Sequence, residues 1–204
     1  YDCRAHRLEL PSSLRIFEVD QSDVQARKRA NLSKEMLNFQ NITYVSIDFD
    51  NQSLTEKLMD AGYDQSKSTI FTLEGVSQYI TREALSSTIK EVAKLTKKTN
   101  SIFFVTYVNE LFDKNPDACF GKGYPYAEKR AKLIKYAAAK AGEPWISFYD
   151  ANEIESILSQ NGYLIEENAT LTELNSRYFA PVGRALPENQ ILDLEHFVIA
   201  KSKN

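Results

Sequence analysis

Short apolar segments alternate with segments of helical period along most of the chain. The apolar segments are too short for typical helices and are rich in Ile, Val, Phe and Tyr, which favour strands. Because their apolar character is nearly continuous, we expect a largely parallel sheet with both faces covered by helices. The predicted strands are residues 14–19, 42–47, 69–73, 101–107, 163–168 and 194–201.

Helix-start signals follow several of these strands. Ser53 and Asp150 each precede a glutamate by three residues, which is the form of a capping box. Thr81 precedes a segment whose apolar residues fall on one face of a helix. The predicted helices are residues 22–37, a short one from 53 to 62, one after Thr81, an Ala/Lys-rich one that ends by 142, and one from 150 to 162.

Residues 109–144, here called the insertion, interrupt this alternation. They contain two prolines and two glycines before the Ala/Lys-rich helix. A connection of this length inside an α/β core is usually functional, so we interpret it as a helical lid. The long link between the last two predicted strands favours an antiparallel pair there instead of another crossover. The sequence therefore predicts one domain over residues 1–204 with a lid at 109–144.

Composition and charge narrow the function classes. The chain is 43% apolar and 26% charged, which is ordinary for a soluble protein. No apolar run approaches the ~18 residues of a membrane span, and no secretion signal is present. A net charge of −3 with both signs interspersed offers no footprint for a nucleic-acid backbone. Cys3 and Cys119 form no zinc pattern or disulfide framework. We therefore expect a cytoplasmic protein without metal, membrane or nucleic acid.

Acidic residues stand at the ends of three successive predicted strands: Asp20, Asp48 and Glu74. Ligands of open α/β sheets bind outside the carboxyl ends of the strands, and the ribose hydroxyls and adenine amino group of a nucleoside are donors that need acceptors. Asp20 stands where an acid takes a ribose diol, and Asp48 could accept from the adenine amino group while Phe49 contacts the ring. Each acid has a local alternative: helix capping for Asp20, an Asx turn for Asp48 and an exposed loop for Glu74. Their repetition favours a nucleoside-like ligand.

The glycine-rich turn that such a ligand needs does not occur in the sequence. It would precede the first helix, because the spacing from Asp2 to Asp20 is close to the roughly 20 residues expected between that turn and the ribose-binding acid. We therefore expect the chain to lack the first strand of the sheet and its glycine loop.

Five segments carry a family resemblance. YDCRAHRL (1–8) resembles the tail of a G-x-G-x-D-x-R-x-x-R-L glycine loop, FEVDQSDV (17–24) a ribose-binding strand end, and SIDFD (46–50) an adenine-binding one. FTLEGVSQYI (71–80), the most specific part, and GEPWISF (142–148) complete the series. In this order and spacing the chain is similar to the leucine carboxyl methyltransferase family, in particular its bacterial and archaeal small-molecule O-methyltransferase branch.

The resemblance implies a Rossmann-like class I methyltransferase fold with S-adenosyl-L-methionine as cofactor. Carried over by motif position, Asp20 binds the ribose, Asp48 and Phe49 contact adenine, and Glu74 lies near the sulfonium, whose positive charge it complements. Arg4 could pair with the methionine carboxylate or with a substrate carboxylate. The chain departs from the family pattern in lacking the glycines and the helices before them.

Methyl transfer from a sulfonium is an in-line displacement, so the enzyme chiefly aligns donor and acceptor. No residue stands out as a general base, because the positions of His6 and His196 are typical of structural histidines. This favours a small-molecule acceptor that is a carboxylate or an acidic hydroxyl. Aromatic residues that could line its pocket, or simply pack, are Tyr79, Tyr107 and Tyr124, with Phe112 and Tyr126.

Three other functions stay open. The acceptor could be the C-terminal carboxylate of a protein, although the family's eukaryotic branch usually differs at EGVSQY. The chain could also be a non-catalytic module that binds S-adenosylmethionine. A dinucleotide-dependent dehydrogenase is disfavoured, because the insertion replaces the second mononucleotide half that it would need.

Overall fold

The computed structural model describes residues 3–33, 41–49 and 51–203. The chain divides into two compact units, Tyr1–Asp64 and Gln65–Asn204. Each unit contains its own sheet, and each is described by itself.

The first unit contains a two-stranded parallel sheet formed by β1 (Ile16–Asp20) and β2 (Ile42–Ser46). Its described helices are α1 (Arg4–Arg7), α2 (Ser22–Ala30) and α3 (Leu54–Asp60). Leu54 and Leu58 of α3 are buried together with Val45 and Ile47. The short apolar face of α3 and the end of β2 therefore supply the apolar core of this unit.

The helix predicted over residues 22–37 is shorter in the structure. α2 ends at Ala30, and residues 31–33 are not helical. The side-chain amide of Asn31 donates to the Arg27 carbonyl over 2.7 Å, which satisfies a carbonyl of the last turn. The rest of that prediction, residues 34–37, lies outside the described residues.

The second unit contains a four-stranded mixed sheet in the order β3-β4-β6-β5. β3 is parallel to β4, and β6 is antiparallel to both β4 and β5. The strands are β3 (Ile70–Leu73), β4 (Ile102–Val108), β5 (Tyr163–Ala169) and β6 (Glu195–Ser202). The described helices are α4 (Arg82–Thr96), α5 (Leu111–Lys114), α6 (Pro116–Cys119), α7 (Ala127–Lys140), α8 (Ala151–Gln160) and α9 (Leu171–Leu174), followed by short 3₁₀ or π turns at 175–179, 180–182 and 188–190.

Apolar periodicity explains the core of the second unit. The predicted face of α4, which includes Leu85 and Ile89, is fully buried, and so are Val105 of β4 and Ile154 of α8. Thr81 caps α4 by accepting a hydrogen bond from the Ala84 amide over 3.1 Å. Burial of such side chains is the main stabilising contribution in a layered α/β core.

The structure confirms the predicted strands and the antiparallel last strand. All six strands are present, and each begins and ends within two residues of its prediction. The predicted caps at Ser53 and Asp150 are also present: Ser53 Oγ accepts from the Glu56 amide over 3.3 Å, and Asp150 Oδ1 accepts from the Glu153 amide over 2.9 Å.

The insertion contains α5, α6 and α7, and most residues of one apolar cluster belong to it. The cluster is built from Val108, Phe112, Cys119, Phe120, Ala127 and Ala131, and Leu192 and Leu194 pack against it. Gly121 lets the backbone of the insertion approach the backbone at Glu188 closely, since a Cβ at this position would overlap the Glu188 carbonyl. Its amide also donates to the Ile191 carbonyl over 3.1 Å. The insertion is thus held against the segment that leads into β6; its role as a lid stays a prediction.

Within the described ranges, no helix combines the length and the apolar character that crossing a membrane requires.

Candidate functional site

Asp20 is the last residue of β1 and lies beside Ser46, the last residue of β2. Its Oδ1 accepts a hydrogen bond of 2.7 Å from the Gln21 amide. The N-cap of α2 is Gln21 itself, so Asp20 does not occupy the capping position that was its local alternative. Oδ2 of Asp20 has no hydrogen-bond partner among the described residues, which leaves an acceptor at the carboxyl end of β1.

Gln25 of α2 ties the two strands together just before Asp20, and sequence reasoning missed it. Its side chain is buried; Nε2 donates to the carbonyls of Glu18 (2.9 Å) and Val45 (3.0 Å), and Oε1 accepts from Ser46 Oγ (2.9 Å). One side chain thereby fixes the spacing of both strand ends. The available signal was a single glutamine on a helix with few apolar residues, which is weak.

Lys28, one helical turn further along, points to the same sheet. It is buried, and its Nζ lies 2.5 Å from Oε2 of Glu18 on β1. A buried ammonium is tolerated only when it is paired, so this ion pair fixes the rotation of α2 against β1. The inward face of α2 is therefore polar, with Gln25 and Lys28 where an ordinary helix would carry apolar residues.

Asp48 opens a turn directly after β2. Its carbonyl accepts from the amides of Asn51 and Gln52, and its Oδ2 accepts from the Asn51 side-chain amide over 2.8 Å. These bonds define a backbone turn and a contact between two side chains. The Asx turn considered as a local alternative needs the amide of Asp50, so it stays a prediction, and the Asp48 side chain is exposed. Phe49 beside it is half-buried, and Asp50 lies outside the described residues.

Asp20 and Asp48 lie at the same end of the first unit's sheet, because the Ile47 amide donates to the Asp20 carbonyl over 3.0 Å. Arg4 lies on α1 in the same unit and is half-buried. Its neighbour His6 is buried against β2, where Nε2 lies 3.1 Å from the Tyr44 hydroxyl. This contact supports a structural role for His6, whereas the predicted role of Arg4 stays a prediction.

Glu74 directly follows β3 in the second unit and is exposed. The next residue, Gly75, has a φ of +62°, and its amide donates to Thr106 Oγ1 of β4 over 3.0 Å. A side chain at this left-handed position would be strained, which explains the glycine after the acid. Thr106 thus sets the direction in which the chain leaves β3, and sequence reasoning did not single it out.

Two of the segments that carry the family resemblance meet in the structure. The Gln78 carbonyl, in the turn after Glu74, accepts from the amides of Ile146 (2.8 Å) and Ser147 (3.3 Å). Ser147 Oγ donates to the Ile80 carbonyl over 2.7 Å. The segments 71–80 and 142–148 therefore form one surface next to the carboxyl end of β3.

The three predicted pocket tyrosines differ in accessibility. Tyr107 is fully buried, Tyr124 is half-buried against Phe120, and Tyr79 is 37% exposed beside Trp145. Burial raises the pKa of Tyr107 to about 12, so its hydroxyl stays protonated at neutral pH. The role of these residues in lining an acceptor pocket stays a prediction.

A chain of polar side chains crosses the sheet of the second unit. His196 of β6 lies with Nδ1 3.2 Å from the Tyr107 hydroxyl and Nε2 3.2 Å from Asn109 Nδ2. Tyr107 donates to Asn168 Oδ1 over 3.1 Å, and Asn168 Nδ2 donates to Glu155 Oε1 over 2.9 Å. Burial lowers the pKa of His196, which favours the neutral imidazole.

A small cleft of about 170 Å³ opens on the second unit. It falls below the ~300 Å³ at which ligand pockets usually begin. Its charged side chains are paired, Arg82 with Glu153 and Lys114 with Glu110. The lining residues are Arg82, Glu110, Asp113, Lys114, Ile146 and Phe148. In the part of the chain that the structure describes, no group of three or more His, Cys, Asp or Glu residues could hold a metal ion.

A family comparison covers the part of the chain that contains Asp20, Asp48 and Glu74. Residues 1–93 match the sequence model of leucine carboxyl methyltransferase. The resemblance to the leucine carboxyl methyltransferase family is confirmed. The matched stretch holds β1, β2 and β3 with the acids that end or follow them.

The chain is similar to the Bacillus subtilis protein YktD, which is provisionally named an S-adenosyl-L-methionine-dependent methyltransferase. The two are 32% identical over 173 residues, which cover 84% of this chain and 53% of YktD. A protein of Mycolicibacterium paratuberculosis with the same provisional activity in its name is 25% identical over 203 residues, covering 92% of this chain and 58% of that relative. The chain therefore spans only a little over half the length of these relatives.

Solved structures share the fold. An S-adenosylmethionine-dependent methyltransferase from Mesorhizobium loti superposes with a TM-score of 0.56 at 14% identity, covering 92% of this chain and 80% of that one. A DUF574 family protein from Streptomyces avermitilis gives a TM-score of 0.61 at 13% identity, covering 92% and 65%. The predicted class I methyltransferase fold, α/β with a mixed sheet, is confirmed.

Proposed function

We propose that the protein is an S-adenosylmethionine-dependent methyltransferase that moves a methyl group to an oxygen of a small molecule. One observation carries the proposal: the stretch that matches the family places Asp20, Asp48 and Glu74 at or just after the carboxyl ends of three successive strands. Ligands of α/β sheets bind outside the carboxyl ends of the strands. The activity named for YktD supports the same assignment.

The side chains of the first unit fit the nucleoside part of this cofactor. Asp20 offers Oδ2 as an acceptor for a ribose hydroxyl, and Gln25 holds the strand ends so that this acceptor is fixed in place. Asp48 lies at the same sheet end with Phe49, where an acceptor and an apolar ring suit an adenine amino group and its base. In the second unit, Glu74 supplies a negative charge suited to a sulfonium.

The cofactor, when bound, supplies an electrophilic methyl group, and the acceptor needs a nucleophilic oxygen. The two histidines do not suit a general base, because His6 contacts the Tyr44 hydroxyl and both ring nitrogens of His196 are engaged. The pKa of Tyr107, about 12, makes it a poor base near neutral pH. These contacts favour an acceptor that is ionised already, namely a carboxylate or an acidic hydroxyl.

Calorimetry with S-adenosylmethionine tests the proposed site. We expect Asp20→Ala and Asp48→Ala each to weaken binding by about 1–3 kcal/mol, the scale of a lost hydrogen bond to a charged group. Asp23→Ala is the matched control, since Asp23 is an exposed aspartate of the same unit whose partner among the described residues is Arg27. Unchanged affinity in both site variants would refute the assignment.

The same protein tests the reaction. Incubation with labelled S-adenosylmethionine and panels of small carboxylic acids and phenols should give base-labile methyl esters or stable methyl ethers. Binding without product from any acceptor would instead support the non-catalytic module. Label transferred to a protein C-terminus would support the protein-methylating alternative.

A further inference from the structure

The hydrogen bonds around His196 determine where its proton lies. The Asn109 Oδ1 accepts from the Leu111 amide over 2.9 Å, which fixes the orientation of the Asn109 amide. Its Nδ2 is then the atom facing His196 and can only donate, so Nε2 of His196 must accept. The ring proton therefore sits on Nδ1 and is donated to the Tyr107 oxygen.

The rest of the chain is consistent with this direction. Tyr107 donates its own proton to Asn168, whose orientation is fixed because its Nδ2 donates to Glu155. Each hydrogen bond from Asn109 to Glu155 thus has one defined direction. A second proton on His196 would set an N–H against the N–H group of Asn109, so the arrangement requires a neutral ring.

Other charges act on the ring as well. Asp193, three residues before His196, and Glu173 of α9 favour its protonated form, and burial opposes them. The net direction is a lowered pKa of His196, in agreement with the hydrogen bonds.

Asn109 connects this ring to the start of the insertion. It stands at the carboxyl end of β4, where its amide donates to the Leu194 carbonyl over 2.8 Å. Its side-chain oxygen accepts a hydrogen bond from the amide of Leu111, the first residue of α5, which lacks an intrahelical partner. His196 on β6, 87 residues away from Asn109 in the sequence, is thereby linked through Asn109 to the first turn of the insertion.

We propose that His196 is a positioning residue: in its neutral form it accepts a hydrogen bond from the Asn109 amide and so holds Asn109 on the Leu111 N–H, which keeps the first turn of the insertion at the carboxyl end of β4. This assignment concerns a side chain within the fold, not a group that touches substrate. Its connection to methyl transfer rests on the proposed function and on the predicted role of the insertion as a lid.

Two substitutions of His196 test its two hydrogen bonds one at a time. In His196→Gln the side-chain oxygen can reach the position of Nε2 and accept from Asn109, whereas in His196→Asn the shorter amide reaches only the position of Nδ1. We expect hydrogen exchange of the α5 amides to be about five- to tenfold faster in the Asn variant, as for one lost hydrogen bond, and near the wild-type rate in the Gln variant. Exchange in α4 serves as the control and should not change.

Equal exchange rates of α5 in both variants, whether raised or not, would overturn the proposal. Nitrogen-15 NMR of the wild type is a second test that needs no variant, since the chain has two histidines, each with two ring nitrogens to assign. We expect the neutral His196 tautomer with its proton on Nδ1; a proton on Nε2 would overturn the proposal. Neither measurement involves S-adenosylmethionine, so failure of the calorimetry at Asp20 refutes the proposed function without affecting this result.

Discussion

The two units differ in the kind of side chain that a helix buries. In the first, helix α2 presents a polar face to the sheet, where Gln25 binds both strands and Lys28 pairs with Glu18. In the second, helix α4 presents a fully buried apolar face that includes Leu85 and Ile89. Directional bonds define positions more narrowly than apolar contacts do, and apolar burial contributes more free energy. The first arrangement suits a sheet end that must hold Asp20 in place.

This contrast has a consequence for substitutions. Loss of an apolar side chain in the second unit should lower stability with little effect on strand spacing. Loss of a polar one in the first should cost less stability and disturb the sheet end next to Asp20. Three measurements on the purified protein test the contrast.

The largest effect is expected for Leu85→Ala. Leu85 is completely buried on α4, and its truncation removes transfer free energy and leaves a cavity. We expect a loss of about 2–5 kcal/mol in the free energy of unfolding, measured by denaturant titration. Ile70→Ala is the control, because Ile70 is 70% exposed and should change stability by less than about 0.5 kcal/mol. Similar losses in the two variants would contradict the apolar account of this unit.

A smaller loss of stability is expected for Gln25→Ala. The substitution removes three hydrogen bonds and leaves two carbonyls and the Ser46 hydroxyl without this partner. We expect a cost of about 1–3 kcal/mol, with faster hydrogen exchange in β1 and β2 and weaker binding of S-adenosylmethionine.

The contrast at Gln25 would fail if stability fell while exchange in β1 and β2 and affinity stayed unchanged. The Gln25 side chain would then contribute to packing without fixing the positions of the strand ends. Asp23→Ala on the same helix is the matched control, since its exposed pair with Arg27 is worth only a few tenths of a kcal/mol.

The contrast between the two units also explains which features of the fold could be predicted from the sequence. The strands of both units and the buried face of α4 follow from apolar periodicity, which depends on neighbouring positions only. The polar inward face of α2 breaks that periodicity, so Gln25 and Lys28 gave at most a weak signal. Asp20, Asp48 and Glu74 could be proposed as site residues because each ends an apolar strand or follows one within two residues.

Contacts between distant segments could not be derived in this way. β6 lies between β4 and β5, and Asn109 meets His196 across 87 positions of the chain. No local pattern encodes such a pairing, because partner choice depends on the folded sheet and not on residue period. A histidine in a strand suggests a structural role, but its partners become known only from the structure.

The smallest effect is expected from protonation of His196. Its pKa is lowered in the folded protein by burial, so the unfolded chain binds more protons at this residue below its ordinary pKa of about 6.5. The contribution of the neutral ring to stability is therefore complete above that pH and is lost as the pH falls below it. We expect the free energy of unfolding to fall between pH 7.5 and pH 5.5 by more in the wild type than in His196→Gln, which has no titrating ring. Carboxylates contribute equally to both proteins, so the difference between their pH profiles isolates the histidine. Parallel profiles would mean that His196 titrates alike in the folded and unfolded states, and the polar chain of the second unit would then not hold its ring neutral.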